Sequence, residues 1–187
     1  KSINFKKYLN KNKKNFISRK KGNIAVVYAT GEITSGKSTD ASMGSKTIVE
    51  AINKVKNDSS IKAMVLRVNS PGGSALASDV IWRSIELTKK IKPVIVSMGD
   101  VAASGGYYIS CGADKIFAEP NTITGSIGVF GLIPNLGKML NTKVGITFDR
   151  VETNEHAAFT MFNALNEKEL SVFQKGVDEI YDTFISK

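Results

Sequence analysis

Apolar runs typical of β-strands alternate with helical patterns along most of this chain of 187 residues. Asn23–Ala29, Ile61–Val68 and Pro93–Met98 read as strands, and apolar residues at helical spacing follow the first two runs. This alternation predicts an α/β fold of repeated β-α-β units. The carboxyl ends of parallel strands then meet at one edge of the sheet, where α/β folds place their sites.

The segments between these strands carry local signals for loops and helix starts. The polar, Ser/Gly-rich stretch 31–44 predicts a loop. Thr47 followed by Glu50 has the spacing of a capping box, which predicts a helix start there. In the second helix, we expect four apolar residues to point inward: Leu76, Val80, Ile81 and Ile85.

The second half of the chain continues with shorter elements. Lys115–Ala118 and Gly145–Asp149 read as strands, and Pro134–Leu140 reads as a helix. Asn166 with Glu169 predicts the cap of a final amphipathic helix. Its apolar face fits core packing or the docking of a partner, and core packing is favoured. That face comprises Leu170, Phe173, Val177, Ile180, Tyr181 and Phe184.

The positive charge of the chain is confined to its first residues. The formal net charge is +9, and residues 1–22 hold nine Lys or Arg and no acidic residue. The body, residues 23–187, is therefore neutral overall, which argues against a nucleic-acid-binding domain. We interpret residues 1–22 as a basic linker or helical arm that is solvated, with anionic lipid or nucleic acid as alternative partners.

Several other classes of function lack a sequence signal. A single cysteine, Cys111, excludes an internal disulfide framework, and its apolar neighbours favour a small core residue over a nucleophile. No Cys/His cluster indicates zinc, and no cofactor motif is present. No apolar run approaches the roughly 20 residues that span a bilayer.

The turn around Ser104 carries the strongest chemical signal. Residues 99–107, Gly-Asp-Val-Ala-Ala-Ser-Gly-Gly-Tyr, follow a strand and lead into a segment that can be helical. A serine at such a sharp junction is exposed, and the glycines that follow it leave backbone N–H groups free. These are the requirements for a nucleophilic serine beside an oxyanion hole.

A second glycine-bearing turn follows the preceding strand. Asn69-Ser-Pro-Gly-Gly73 ends that strand and opens a helix, so the N–H of Gly72 or Gly73 can face a neighbouring loop. Alone, each turn is also compatible with a close-packed strand-to-helix connection. Side by side, the two turns can supply a nucleophile and the donors for a tetrahedral oxyanion.

Three sequence blocks together resemble the signal peptide peptidase A, or protease IV, family. They are residues 67–74 (Arg-Val-Asn-Ser-Pro-Gly-Gly-Ser), residues 96–109 around Ser104, and residues 122–129 (Thr-Ile-Thr-Gly-Ser-Ile-Gly-Val). Their order and intervals also match, and the likeness covers roughly residues 23–187. The resemblance implies a crotonase-like, or Clp protease-like, α/β fold.

The resemblance also implies a Ser–Lys serine protease that cleaves signal-peptide remnants. Ser104 would be the nucleophile, and Gly72 or Gly73 would join Gly105 as oxyanion donors. Ser126 would orient the base lysine. That lysine must be largely neutral near pH 7, so its pKa must lie well below the usual value of about 10.4.

The lysine itself is missing from the expected place. In short members of the family it follows the strand after the Thr-Gly-Ser block, and here the position falls on Ala157. No lysine occurs between Lys143 and Lys168. In long members the C-terminal half brings the serine and the N-terminal half brings the lysine. This chain resembles the C-terminal half, with residues 1–22 as the link to the other half.

Other titratable residues near these motifs are better explained by structural than by catalytic roles. His156 is the only histidine and could form a Ser–His pair, but its polar surroundings favour a surface position. Asp100 and Asp149 read as turn or strand-end residues, and Lys115 as a strand-edge residue. Tyr107 and Tyr108 are expected to pack near the site.

The leading hypothesis is a membrane-associated bacterial serine endopeptidase that acts on apolar peptides. The resemblance implies a ring-like homo-oligomer, the N-terminal half as a partner, and a catalytic domain on the extracytoplasmic side. One alternative is a crotonase-type acyl-CoA enzyme, which uses paired N–H donors without a nucleophilic serine. The other is a non-catalytic half that only scaffolds an oligomer.

Overall fold

A parallel sheet with helices on one face forms the centre of the molecule. The computed structural model describes residues 22–149, 151–154 and 160–187. The strands are β1 (Ile24–Thr30), β2 (Glu32–Thr34), β3 (Ser42–Gly44), β4 (Ala63–Ser70), β5 (Val94–Ala103), β6 (Lys115–Phe117) and β7 (Ile123–Gly125). The helices are α1 (Ser45–Asn57), α2 (Ala75–Lys89), α3 (Gly105–Ser110), α4 (Gly137–Met139), a π-helical turn (Leu140–Val144) and α5 (Glu167–Ile185).

The strand order explains where the two glycine-bearing turns lie. The sheet runs β1-β4-β5-β6 with every pair parallel, and β7 pairs with the last part of β5. Because β4 and β5 are neighbours and parallel, the turns that follow them emerge at the same edge of the sheet. The predicted fold of repeated β-α-β units is confirmed.

The core lies between this sheet and helices α1 and α2. Alternate residues of β4 and β5 are buried, as the period of two in a strand requires. They pack against one stripe on each helix, represented by Ile52 on α1 and Ile81 on α2, both fully buried. On the opposite face of the sheet, β1 leaves Ile24, Val26 and Tyr28 exposed.

Strand β5 is longer than the sequence pattern predicts. The prediction ended it at Met98, but it continues through residues 99–103 because β7 pairs with Val101–Ala103. The register between β4 and β5 shifts between Val68 and Ser70, and the Val101 N–H donates to Asn69 Oδ1 across this irregularity at 3.1 Å. The bulge thus fixes the end of β5, from which Ser104 projects.

Several local predictions are wrong. The expected loop at 31–44 contains the paired strands β2 and β3, and Gly145–Asp149 forms no strand. Helix α1 begins after Gly44 with no side-chain cap, since Thr47 Oγ1 accepts a hydrogen bond from the Ser38 N–H instead. Leu76 and Val80 are exposed rather than inward, because only the Ile81 side of α2 faces the sheet.

Helix α5 has the predicted start but not the predicted burial. Asn166 and Glu169 form a reciprocal capping box, with both hydrogen bonds at 2.9 Å. Of its six apolar residues named above, Phe184 alone is buried, and four of the others are clearly exposed. The expectation that this face packs into the core is therefore wrong except near its C-terminal end. The basic arm, residues 1–22, lies outside the described residues except for Gly22.

Candidate active site

Ser104 lies at the junction between β5 and α3 in a strained backbone conformation. Its φ of 50° and ψ of −119° are uncommon for a residue with a Cβ. Two hydrogen bonds hold this geometry: the Ser104 N–H donates to Gly125 O, and Ser104 O accepts from the Tyr108 N–H, both at 2.8 Å. The side chain is half-buried at the edge of the sheet.

The Pro71–Gly73 turn contacts this junction directly. Gly72 has a φ of 106°, and a Cβ at this position would lie 2.7 Å from Gly105 N and 2.8 Å from Ser104 Cβ. Neither approach is possible for a residue with a side chain. The structure therefore brings together the two turns that the sequence singled out, and glycine at position 72 permits their contact.

The backbone N–H groups of the three glycines differ in their partners. Gly72 N–H donates to Ser70 Oγ at 3.2 Å. Gly105 is the first residue of α3, so its N–H has no acceptor within that helix. Among the described residues, none accepts a hydrogen bond from the Gly73 N–H. Gly73 and Gly105 thus keep donors available for a ligand, whereas the donor of Gly72 is engaged.

A cavity of about 960 Å³ is lined by Gly72, Gly73 and Ser104 and extends to Ser126. Ser126 follows Gly125 at the end of β7 and, like Ser104, has a positive φ, here 53°. The Ser126 side chain is exposed. The apolar part of the wall is formed by Leu76, Val129, Phe130, Leu132, Ile180 and Phe184. Such a wall suits an apolar ligand.

The described carboxylates that line the cavity with Ser104 are those of Glu32 and Asp79. None of the described residues that line the cavity is a lysine or a histidine. His156 and Ala157 lie outside the described residues. Lys115 and Asp100 are exposed on β6 and β5, and neither lines the cavity.

Cys111 has the character of a packed thiol. It lies at the end of α3, where its Sγ donates to Tyr107 O at 3.3 Å. Burial raises the pKa of the thiol, which disfavours the nucleophilic thiolate. This environment agrees with the interpretation of Cys111 as a structural residue.

Asp79 on α2 also lines the cavity and was not among the predicted site residues. Tyr108 OH donates to Asp79 Oδ1 at 2.6 Å, and burial together with this carboxylate raises the pKa of Tyr108, so the phenol stays neutral. Tyr108 lines the cavity, whereas Tyr107 packs against the core. No local pattern marks Asp79, because the residues that contact it come from distant parts of the sequence.

The described residues contain no group of three or more side chains suited to a metal ion. Within the same part of the chain, every helix is too short or too polar to cross a membrane.

Comparison with known proteins gives a family match over the second half of the chain and a fold match over the first. A sequence model of "Peptidase family S49" matches residues 86–187, and one of "Clp protease" matches residues 18–124. The second match agrees with the mainly parallel sheet and confirms the Clp protease-like fold.

Curated relatives resemble nearly the whole chain. It is 46% identical over 163 residues to "Protease 4" of Haemophilus influenzae, covering 87% of this chain and 26% of that protein. It is 39% identical to "Serine protease SPPA, chloroplastic" of Arabidopsis thaliana, covering 88% of this chain and 25% of that protein. The chain thus spans about a quarter of the length of these relatives.

One solved structure is 26% identical to this chain over the part that matches. It is the K138A mutant of 1510-N, a membrane-bound stomatin-specific protease, in complex with a substrate peptide. The superposition has a TM-score of 0.48 and covers 62% of this chain and 49% of that one.

Proposed function

The chain belongs to peptidase family S49, and we propose that it is the serine-bearing part of a peptidase that hydrolyses apolar peptides through an acyl-enzyme on Ser104. One observation carries the proposal: a strained serine touches a Pro-Gly-Gly turn and lines a largely apolar cavity. A nucleophile, free N–H donors and space for a peptide then lie together.

In the first step, Ser104 Oγ attacks the carbonyl carbon of the scissile peptide bond and gives its proton to a base. The carbonyl oxygen becomes an oxyanion and accepts hydrogen bonds from the N–H groups of Gly73 and Gly105. These two donors are supported by the lack of any other described acceptor for them. Fixed donors of this kind stabilise the transition state more than the planar carbonyl.

The second half of the reaction returns the enzyme to its starting state. The base passes the proton to the leaving amine, the C–N bond breaks, and an ester on Ser104 remains. Water then gives a proton to the base and attacks the ester carbonyl, forming a second oxyanion held by the same donors; this collapses as the C–O bond to Ser104 breaks and the base returns the proton to Ser104 Oγ. The products are a carboxylic acid, an amine and free Ser104.

The base in this proposal is a lysine contributed by an N-terminal half of the protein. Two observations support an external amine: no described residue lining the cavity is a lysine, and the chain spans about a quarter of its relatives. Ser126 Oγ, at the rim of the same cavity, would accept a hydrogen bond from this lysine and orient it. Enclosure in an apolar cavity would lower the pKa of the amine and keep it neutral.

The substrates that fit this cavity are apolar peptides, of which signal-peptide remnants are one class. We propose that the whole protein forms a ring-like homo-oligomer at the bacterial membrane, with its catalytic domain on the extracytoplasmic side. The exposed apolar side chains of Ile24, Val26 and Tyr28 support association with another surface.

Covalent labelling tests the proposed function. A fluorophosphonate incubated with the full-length protein is expected to form one adduct, mapped by mass spectrometry to the peptide that carries Ser104. An apolar peptide substrate should slow the labelling by competition. Lack of an adduct at Ser104 in a preparation that hydrolyses peptides would contradict the proposal. A crotonase-type acyl-CoA enzyme, which needs no nucleophile, would also remain unlabelled.

A further inference from the structure

We infer that Phe184, at the end of α5, determines which apolar side chains the cavity accepts. The inference rests on the proposed function, since it takes the cavity as the place where a substrate peptide binds. It adds a specificity-determining residue from an element that is distant in sequence from Ser104.

Helix α5 is buried only near its C-terminal end. Phe184 is only 6% exposed, whereas Leu170 and Val172 in the first turns are 54% and 66% exposed. Ile180, Thr183 and Phe184 all line the cavity that contains Ser104. The C-terminal turns of α5 therefore form one side of the cavity, and the first turns do not.

Phe184 contacts α3, the helix that directly follows Ser104. Its ring lies against the ring of Tyr108, with 4.9 Å between the centroids. Tyr108 N–H donates to Ser104 O, so the phenol ring is one helical turn from the nucleophile. Phe184, Tyr108 and Ser104 are thus linked by direct contacts. A change at Phe184 therefore affects the space beside Ser104.

A polar cluster holds the end of α5 in this place. Lys187 Nζ lies 3.3 Å from Asp79 Oδ1 and 3.4 Å from the centroid of the Trp82 ring. Asp79 also accepts the hydrogen bond from Tyr108 OH. The Lys187 side chain is 14% exposed and that of Asp79 47%, so the ammonium group is largely enclosed and its contact with the indole face is mostly shielded from water.

From this position, Phe184 limits the size of the substrate side chain that fits into the cavity. A rigid aromatic ring in the wall limits the length of an apolar side chain that can lie beside it. A smaller residue at this position leaves space for a larger substrate side chain and loses contacts with a smaller one. The ratio of affinities for large and small side chains should therefore depend on residue 184.

Peptide binding to a catalytically inactive background tests this inference. The full-length protein with Ser104→Ala is compared with the same protein carrying Phe184→Ala in addition. Fluorescein-labelled apolar peptides of one sequence, with Leu replaced by Trp at one position at a time, are titrated by fluorescence anisotropy. At one position or more, Phe184→Ala should favour Trp over Leu by about tenfold relative to the background. Phe184→Leu should change the same ratio by less.

Two further variants distinguish a change in side-chain preference from a general loss of folded structure. Val172→Ala, on the exposed part of α5, should leave the Trp-to-Leu ratio unchanged. Lys187→Met removes the ammonium group that anchors the helix and should shift the ratio in the same direction as Phe184→Ala. Unchanged ratios at every position in Phe184→Ala, or an equal shift in Val172→Ala, would overturn the inference.

Two separate measurements distinguish failure of this inference from failure of the proposed function. Hydrolysis is measured with the protein that retains Ser104, and selection is measured by binding alone. A shifted ratio without any hydrolysis would support the role of Phe184 and contradict the peptidase proposal. Hydrolysis without a shifted ratio would support the peptidase proposal and contradict the role of Phe184.

Discussion

Replacing Ser104 with alanine is expected to lower the kcat for apolar peptides by about 10⁴-fold or more, because the attacking oxygen is lost. Both residues carry a Cβ, so the strained backbone at φ 50° changes little. Peptide binding and thermal stability should therefore stay close to those of the unmodified protein. The measurement is steady-state hydrolysis of a fluorogenic apolar peptide by the full-length protein, with a thermal melt of each variant.

Ser171→Ala provides the matched control for this substitution. Ser171 is exposed on α5, where its hydroxyl donates to Lys168 O at 2.7 Å, and it lies outside the cavity. Its loss should leave kcat within about twofold of the unmodified enzyme. Residual hydrolysis by Ser104→Ala at the level of Ser171→Ala would show that another residue attacks the peptide.

Replacing Gly72 with alanine should also abolish most of the activity, for a geometric reason. The added Cβ would lie 2.7 Å from Gly105 N and 2.8 Å from Ser104 Cβ, and φ is 106°. The two turns would have to separate, which moves the Gly73 and Gly105 donors relative to Ser104. We expect kcat/KM to fall by roughly 10²–10³-fold, as when an oxyanion donor is lost. Backbone strain should lower the free energy of unfolding by about 1–3 kcal/mol.

Gly145→Ala separates strain from the contact between the turns. Gly145 also has a positive φ, 74°, but no atom lies within 4 Å of the position where a Cβ would be added. This variant should show the loss of stability from strain without the loss of kcat/KM. If Gly72→Ala kept kcat/KM within about threefold of Gly145→Ala, the close approach of the two turns would be irrelevant to catalysis.

The predicted features that the structure reproduces are those set by neighbouring residues. The strands before Ser104 and before the Pro71–Gly73 turn, and the cap formed by Asn166 and Glu169, follow from local patterns. Because parallel strands share an edge, the sequence also predicts that the two turns meet. The positive φ of Gly72 then explains why the motif contains glycine there.

The features that the sequence analysis missed depend on distant contacts. Strands β2 and β3 have three residues each, and Ile33 of β2 also bridges to Gly73, so no local pattern marks them. The last part of β5 is a strand because β7 pairs with it. Asp79 and Phe184 join the site through contacts with Tyr108, and a helical periodicity cannot show which apolar residues remain exposed.

A crystal structure of the full-length protein after reaction with a fluorophosphonate tests the central claim most directly. The phosphonyl group on Ser104 Oγ stands in for the tetrahedral intermediate, and its free oxygen for the oxyanion. The account predicts that this oxygen lies about 2.7–3.1 Å from the backbone nitrogens of Gly73 and Gly105. An adduct whose oxygen points to solvent, with neither nitrogen within hydrogen-bond distance, would contradict it.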